Sequence, residues 1–236
     1  MPLTHQRILI IGGSSGMGLA AARALAAAGA EVMIASRSPA RLDDALTSLE
    51  DAASGYVVDF TDPDSLAALF DVVGALDHLV LTAASNAAAG PFVSTSAEAL
   101  RAGLEGKLIG YWQSLQAALP HLRRDGSVVL VTGAASRAAI PGTASYAAIN
   151  GAITEMARTL AKELAPLRVN VVSPGYVPAL AELAPQARAA RLRQAGSALP
   201  VGRAGAPEDV AEAIVFLLAN GFTTGALIDI DGGLRL

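Results

Sequence analysis

The 236-residue chain contains no cysteine, which excludes disulfide bonds, iron–sulfur clusters and thiolate zinc sites. Its three histidines, His5, His78 and His121, lie far apart and in no metal-ligand spacing, so no metal site is expected. Charged residues are scarce, at 16%, and the formal net charge of −4 argues against a nucleic-acid surface. Because 53% of the residues are hydrophobic, the chain is expected to bury a large core and not to be disordered.

Long hydrophobic runs are also missing. The longest apolar stretch, residues 19–30, is rich in alanine and interrupted by Arg23, so it falls short of the roughly 20 apolar residues that span a bilayer. Residues 1–11 lack both a long apolar region and a small-residue cleavage site, so no signal peptide is expected. These absences predict a cytoplasmic protein that does not enter a membrane.

Short apolar runs alternate with longer helical patterns along the whole chain. Strands are predicted at 7–11, 31–35, 55–58, 77–83, 127–132, 168–172 and 226–230. Helices are predicted at 16–28, 39–49, 64–73, 97–122, 145–164 and 207–219. This alternation predicts an α/β fold, a single Rossmann-like doubly wound domain (1–236) with a seven-stranded parallel sheet flanked by helices.

A glycine-rich turn joins the first predicted strand directly to the first predicted helix. Its sequence is Gly12-Gly13-Ser14-Ser15-Gly16-Met17-Gly18. Without Cβ atoms in the way, backbone N–H groups and a helix N-terminus can face a pyrophosphate. A tight turn that only packs the helix on the strand is the alternative, but the position in a βαβ unit favours a dinucleotide site.

The sequence resembles the classical short-chain dehydrogenases/reductases over nearly its whole length. Gly12, Gly16 and Gly18 match the glycines of the family's Thr-Gly-x-x-x-Gly-x-Gly signature, with Ile11 in place of the threonine. Further matches are Val57-Val58-Asp59, the run from Asn170 to Gly175, and the segment from Thr224 to Gly233. The resemblance implies that the nucleotide is bound by Gly12, Ser14, Ser15, Gly16, Met17, Gly18, Ser36, Arg37, Asp59, Phe60, Ala83, Ala84, Thr132, Pro174, Gly175 and Val177.

The end of the second predicted strand indicates which dinucleotide binds. An acidic residue there would bond the ribose hydroxyl of NAD, but the sequence reads Ile34-Ala35-Ser36-Arg37. Arg37 offers a permanently charged donor suited to a 2′-phosphate, with Ser36 as a hydroxyl donor and Arg41 one helical turn further on. The sequence therefore predicts NADP(H), unless Arg37 is simply a solvated loop arginine.

In the family, a tyrosine donates a proton to the substrate, a lysine four residues later lowers the pKa of that tyrosine, and a serine and an asparagine assist. The predicted catalytic residues of this sequence depart from that pattern. Tyr146 matches the tyrosine, whereas Asn150 stands at the lysine position and Gly133 at the serine position. Lys107 stands at the asparagine position, so lysine and asparagine have exchanged places. If Lys107 reaches in, its ammonium is expected to depress the pKa of Tyr146.

Each of these assignments has a structural alternative. Lys107 could be a solvated helix lysine, and Tyr146 could be a half-buried packing tyrosine. Ser136 is preferred over Thr132 as the replacement for the missing serine, although a loop hydroxyl that caps a turn is equally plausible. The resemblance implies a small or medium carbonyl or alcohol substrate and hydride transfer to or from nicotinamide C4. It also implies a homodimer or homotetramer, with Tyr111, Trp112 and Leu115 as candidate interface residues; burial of these residues inside the monomer is the alternative.

Residues 176–203 interrupt the alternation of strands and helices. The segment contains several prolines and is predicted to form a helical lid over the substrate cleft, the alternative being an ordinary surface connection. Three lid arginines, Arg188, Arg191 and Arg193, are as easily explained by a solvated helix face as by an acidic substrate. The competing function is a catalytically decayed member of the family that acts as an NADP(H)-binding sensor or interaction module.

Overall fold

The computed structural model describes residues 2–50, 52–83, 87–178 and 185–236. In them, seven strands form one parallel sheet with the order β3-β2-β1-β4-β5-β6-β7, which confirms the predicted fold. The strands are β1 (Arg7–Ile11), β2 (Glu31–Ser36), β3 (Ala53–Val57), β4 (Leu76–Leu81), β5 (Leu122–Val131), β6 (Arg168–Pro174) and β7 (Leu227–Ile230). Winding reverses between β1 and β4, and a crevice opens at the carboxyl ends of strands at such a switch point.

Helices cover both faces of the sheet. They are α1 (Gly16–Ala27), α2 (Pro39–Ser48), α3 (Pro63–Val73), α4 (Ala97–Gly103), α5 (Gly110–Ala118), α6 (Ala144–Glu163), α7 (Pro185–Gly196) and α8 (Pro207–Ala219). Among the described residues, no helix is both long enough and apolar enough to cross a membrane. Helix α7 lies within the predicted lid, whereas residues 179–184 of that segment fall outside the described residues.

The strands are apolar on both sides because each face of the sheet is covered. In β1, Leu9 and Ile11 belong to the core beneath α3, α5 and α6, while Ile8 and Ile10 belong to the core beneath α1 and α8. Side chains along a strand alternate between the two faces, so this near-continuous apolar run is typical of a central parallel strand. Two cores of this kind fix the position of the central strands, at whose ends the site forms.

The helix predicted at residues 97–122 is wrong in two respects. First, it ends at Ala118, because Pro120 lacks an N–H donor and its ring obstructs a continued helix, and Leu122 already belongs to β5. Second, residues Leu104–Ile109 form a π-helical segment between α4 and α5. Wider turns of this kind occur often at functional sites, and this one contains Lys107.

A buried histidine at the amino end of the sheet makes stability depend on pH. His78 in β4 is 5% exposed, and its Nε2 contacts Gln6 Oε1. Burial, followed by the charge of Arg168, lowers the pKa of His78 to about 4, and Asp77 only partly opposes this. The unfolded chain binds the proton below pH 6.5 and the folded chain only near pH 4, so stability is lost as pH falls through this window.

We expect the free energy of unfolding to fall by up to about 3 kcal/mol between pH 7 and pH 4 through His78. Urea denaturation at a series of pH values measures this dependence. The variant His78→Gln should flatten the profile, whereas His5→Gln, which changes an exposed histidine, should not. Equal slopes for both variants and the parent would contradict the assignment.

Candidate active site

The glycine turn after β1 requires residues without a Cβ. Gly12 has φ +94°, and a Cβ there would lie 2.5 Å from the backbone nitrogen of Ala83. A Cβ on Gly18 would overlap the carbonyl oxygen of Gly12. The Gly12 N–H donates to Ala35 O at 2.8 Å, so the turn is held between the ends of β2 and β4. The turn is therefore fixed by close packing at the switch point of the sheet.

The first turn of α1 faces open space. Ser15 precedes the helix in an extended conformation, and its side chain does not cap the helix. Gly16 has φ +51°, and a Cβ there would meet no atom within 4 Å. The free N–H groups and the helix dipole make this end of α1 suited to a phosphate, and glycine at Gly16 leaves the approach clear. Ser14 is half-buried in the same turn, and Met17 packs against the core.

Arg37 follows β2 and is exposed. Ser36 Oγ accepts a hydrogen bond from the Ser38 N–H at 3.3 Å. After the neighbouring strand β3, the pKa of Asp59 is lowered, mainly because its carboxylate accepts bonds from the Thr61 hydroxyl and N–H, with Arg37 as a smaller electrostatic cause. Arg37 and Asp59, two of the predicted nucleotide contacts, therefore lie near one another at the carboxyl ends of β2 and β3.

The remaining predicted nucleotide contacts are spread along this edge. Phe60 is buried in the core with its ring against Gly110, so any contact with a nucleotide would come from its backbone. The Gly175 N–H donates to Ile230 O at 2.9 Å, which fixes the residues after β6 beside β7. Pro174 is buried and Val177 half-buried, whereas Ala84 lies outside the described residues.

The Lys107 side chain extends from the π-helical segment to the carboxyl end of β5 and is not a solvated lysine. It is 9% exposed, and its Nζ donates to Asn150 Oδ1 at 2.8 Å and to the Thr132 carbonyl at 3.0 Å. Burial lowers the pKa of Lys107 to about 8. The two residues that appear exchanged in the sequence therefore bind each other directly, which brings the amine to helix α6.

Tyr146 and Asn150 are one turn apart on α6, so they lie on the same side of the helix. Tyr146 is half-buried, and burial raises its pKa above the ordinary value. The expected depression of this pKa by Lys107 is therefore wrong. Burial is the cause of the shift, and the Lys107 amine is bonded to Asn150 and to the Thr132 carbonyl.

The position of the missing serine is filled by a glycine beside Asn150. A Cβ on Gly133 would lie 3.0 Å from Asn150 Nδ2, closer than nearly all real contacts, so the asparagine occupies space near that position. Ser136 Oγ donates to the Gly133 carbonyl at 3.1 Å, and Thr132 Oγ1 donates to Val172 O at 3.3 Å. Both candidate hydroxyls are thus engaged locally.

For Tyr111, a candidate for the subunit interface, the structure supports the alternative, burial inside the monomer. It is fully buried, and its hydroxyl donates to Leu81 O at 2.8 Å and Val131 O at 3.0 Å. Leu115 is also buried, whereas Trp112 is half-exposed. Because Tyr111 follows Lys107 by four residues, the shared helix face was a signal that both point inward. Tyr111 ties the ends of β4 and β5 together beneath the site.

An apolar cavity of about 300 Å³ is lined largely by residues of the predicted lid segment. Its apolar walls come from Ile140, Tyr176, Leu199 and Leu234, together with Ala195 of α7 and Ala198 just after that helix. Ile140 lies between Ser136 and Tyr146 in the chain, and Tyr176 follows Gly175, so the cavity adjoins segments that carry the candidate catalytic and nucleotide-binding residues.

Comparison with known proteins identifies the family. The family model described as enoyl-(acyl carrier protein) reductase matches residues 12–235. The chain is 35% identical to the short-chain dehydrogenase/reductase ATR9 of Stachybotrys chlorohalonatus, over 97% of this chain and 96% of that protein. The chain belongs to the short-chain dehydrogenase/reductase family. This membership confirms the resemblance and the prediction of an oxidoreductase.

Two further relatives of the short-chain dehydrogenase/reductase are informative. The 3-oxoacyl-[acyl-carrier-protein] reductase FabG of Thermotoga maritima is 34% identical, with 99% of both chains covered. An NADPH-bound short-chain oxidoreductase from Pseudomonas aeruginosa PAO1 superimposes with a TM-score of 0.86 at 29% identity, covering 98% of both chains. The structure of that oxidoreductase is described as containing an atypical catalytic center.

Proposed function

We propose that this short-chain dehydrogenase/reductase is an NADPH-dependent oxidoreductase that acts on the carbonyl group, or the corresponding alcohol, of a small or medium substrate. The observation that carries the proposal is the buried Lys107 amine, bonded to Asn150 and to the end of β5. A charged group is costly to bury, so its retention at this edge of the sheet favours a chemical role.

The nucleotide site fits the phosphates and the adenosine end of NADPH. The turn at Gly12–Gly18 leaves room for backbone contact with a pyrophosphate, and the first turn of α1 offers free N–H donors. Arg37 supplies a permanent positive charge for a 2′-phosphate where an NAD-specific site has a carboxylate. The NADPH complex of the Pseudomonas relative supports the same choice.

When bound, NADPH would supply the hydride that reduces the carbonyl carbon. Tyr146 donates its proton to the carbonyl oxygen, and its raised pKa keeps the phenol protonated until that step. The Lys107 ammonium stabilises the phenolate that forms, and Asn150 holds the amine in place by accepting its hydrogen bond. Tyr146, Lys107 and Asn150 thus form the catalytic set.

We also propose that a hydroxyl group near the end of β5 takes the role of the missing serine. Ser136 is the candidate because it is half-buried in the loop that follows β5, and a small rotation exchanges its bond to Gly133 for one to a substrate oxygen. Thr132 is more deeply buried and bonded to β6.

The proposed assembly is a homodimer or homotetramer, for which the half-exposed Trp112 is a candidate contact.

The experiment that tests the function measures NADPH oxidation against ketones, aldehydes, quinones and imines, together with NADPH binding by fluorescence. Turnover of at least one class supports the oxidoreductase. Clear NADPH binding without any turnover would favour the second function, an NADP(H)-binding sensor. The observation on its side is Gly133, which leaves the serine position without a hydroxyl.

The acidity of Lys107 predicts the pH dependence of the reaction. Because the protonated amine is the active form and its pKa is about 8, kcat/KM should fall as pH rises through about 8. In Asn150→Asp, a carboxylate next to the amine favours the charged form, so the alkaline limb should move to higher pH. Steady-state kinetics between pH 6 and 10 measure the alkaline limb of the parent and of Asn150→Asp. An alkaline limb that stays in place in Asn150→Asp would contradict this role of Lys107.

A further inference from the structure

The cavity beside α7 carries information about the substrate. Its walls are apolar apart from two polar side chains of α7, Arg191 and Gln194. Among the lining residues, Arg191 is the one with an ionisable charge, and no carboxylate of the described residues forms an ion pair with it. A mostly apolar pocket with one cationic side chain in its wall suits an amphipathic anion, whose apolar part can enter the pocket while its charge stays near the arginine.

Arg191 differs in this respect from its neighbour on the same helix. Arg193 is also exposed and lies two residues further along α7, but it does not line the cavity. Residues two apart on a helix point in different directions, so only one of the two arginine side chains contributes to the wall of the apolar space. The structure thus separates an arginine that lines the cavity from one that does not, which the sequence alone did not do.

The opposite wall of the cavity is held in place by a buried carboxylate. Asp229 of β7 pairs with Arg235 at 2.8 Å and with Arg137 at 3.3 Å. Arg235 follows Leu234, and Arg137 lies three residues before Ile140, so both apolar walls are attached to the same anchor. A preformed wall of this kind favours a ligand of defined length, and a volume of about 300 Å³ has room for roughly ten water-sized groups.

We infer that the substrate is a keto acid, with its apolar chain in this cavity and its carboxylate paired with Arg191. The inference rests on the proposed function, since it names the substrate class for the same site. In the reaction, the ketone carbon gains the hydride, the oxygen gains the proton of Tyr146, NADPH becomes NADP⁺, and a hydroxy acid leaves. The carboxylate takes no part in the chemistry and serves only to orient the chain.

The kinetic test compares 7-oxooctanoate with its methyl ester, which keeps the chain and loses the charge. Arg191→Ala should lower kcat/KM for the acid roughly 2- to 5-fold, the range expected for a solvent-exposed ion pair, and leave the ester unchanged. Arg193→Ala removes the same charge outside the cavity and should leave both substrates unchanged. Equal losses in the two arginine variants, or none in Arg191→Ala, would overturn the inference.

A binding measurement separates this inference from the proposed function. Isothermal titration of 7-oxooctanoate into the NADPH-saturated protein should give a Kd that rises roughly 2- to 5-fold in Arg191→Ala. Leu234→Trp, which fills the cavity, should abolish binding while NADPH still binds. Arginine-dependent binding without turnover would sustain the keto-acid site and refute the oxidoreductase. If Arg191→Ala and Leu234→Trp both leave turnover unchanged, the oxidoreductase is supported and the keto-acid site is refuted.

Discussion

Replacing Lys107 with methionine is expected to lower kcat/KM for NADPH-dependent carbonyl reduction by about 1,000-fold, within the range that a positioned acid–base group contributes. Methionine keeps the length and apolar stem of lysine but removes the ammonium that stabilises the Tyr146 phenolate. NADPH binding should remain, because the glycine turn and Arg37 are untouched. Stopped-flow or steady-state absorbance at the nicotinamide band measures the rate, and fluorescence titration measures cofactor affinity.

The chain offers a matched control for this variant. Lys162 is the other lysine of the sequence, and it is exposed on α6. Lys162→Met should therefore leave turnover unchanged. Thermal denaturation distinguishes a loss of chemistry from a loss of folded protein, since Lys107→Met leaves Asn150 Oδ1 and the Thr132 carbonyl without this donor and should lower stability by about 1–3 kcal/mol. Near-normal turnover of folded Lys107→Met would remove Lys107 from the catalytic set.

Replacing Arg37 with aspartate is expected to lower the NADPH-to-NADH ratio of kcat/KM about 100-fold, since a charge-assisted contact is lost and a repulsive charge is introduced. Aspartate at this place also offers acceptors for the ribose hydroxyls of NADH. The neighbouring Asp59 carboxylate, which is already held by Thr61, should remain in place. Kinetics with both cofactors at subsaturating concentrations give the ratio directly.

The control for Arg37→Asp is a reversal of charge near the amino ends of the strands, away from the nucleotide site. Arg124 is exposed near the amino end of β5, far along the strand from the nucleotide crevice. Arg124→Asp produces the same change in net charge and should not alter the cofactor ratio. If Arg37→Asp behaves like Arg124→Asp, Arg37 is a solvated loop arginine and the preference for NADPH has another source.

Local patterns were sufficient to predict the strands and the nucleotide turn. The apolar runs of β1, β2 and β6 were placed within one or two residues, because continuous apolar strands between helices have few alternative arrangements. The early end of the helix near Pro120 and the start of β5 at Leu122 were missed. There, pairing of Leu122 with Leu76 in the neighbouring strand outweighs the apolar helical pattern.

The sequence by itself determined the parallel α/β fold, the dinucleotide turn and the absence of the usual serine and lysine, because these follow from residue types at fixed spacing. Only the tertiary structure decided that Lys107 meets Asn150, that Tyr111 lies in the core and that Arg191 faces a cavity. These are contacts between elements far apart in the chain or choices between helix faces. They depend on how the helices pack on the sheet, which no local pattern specifies.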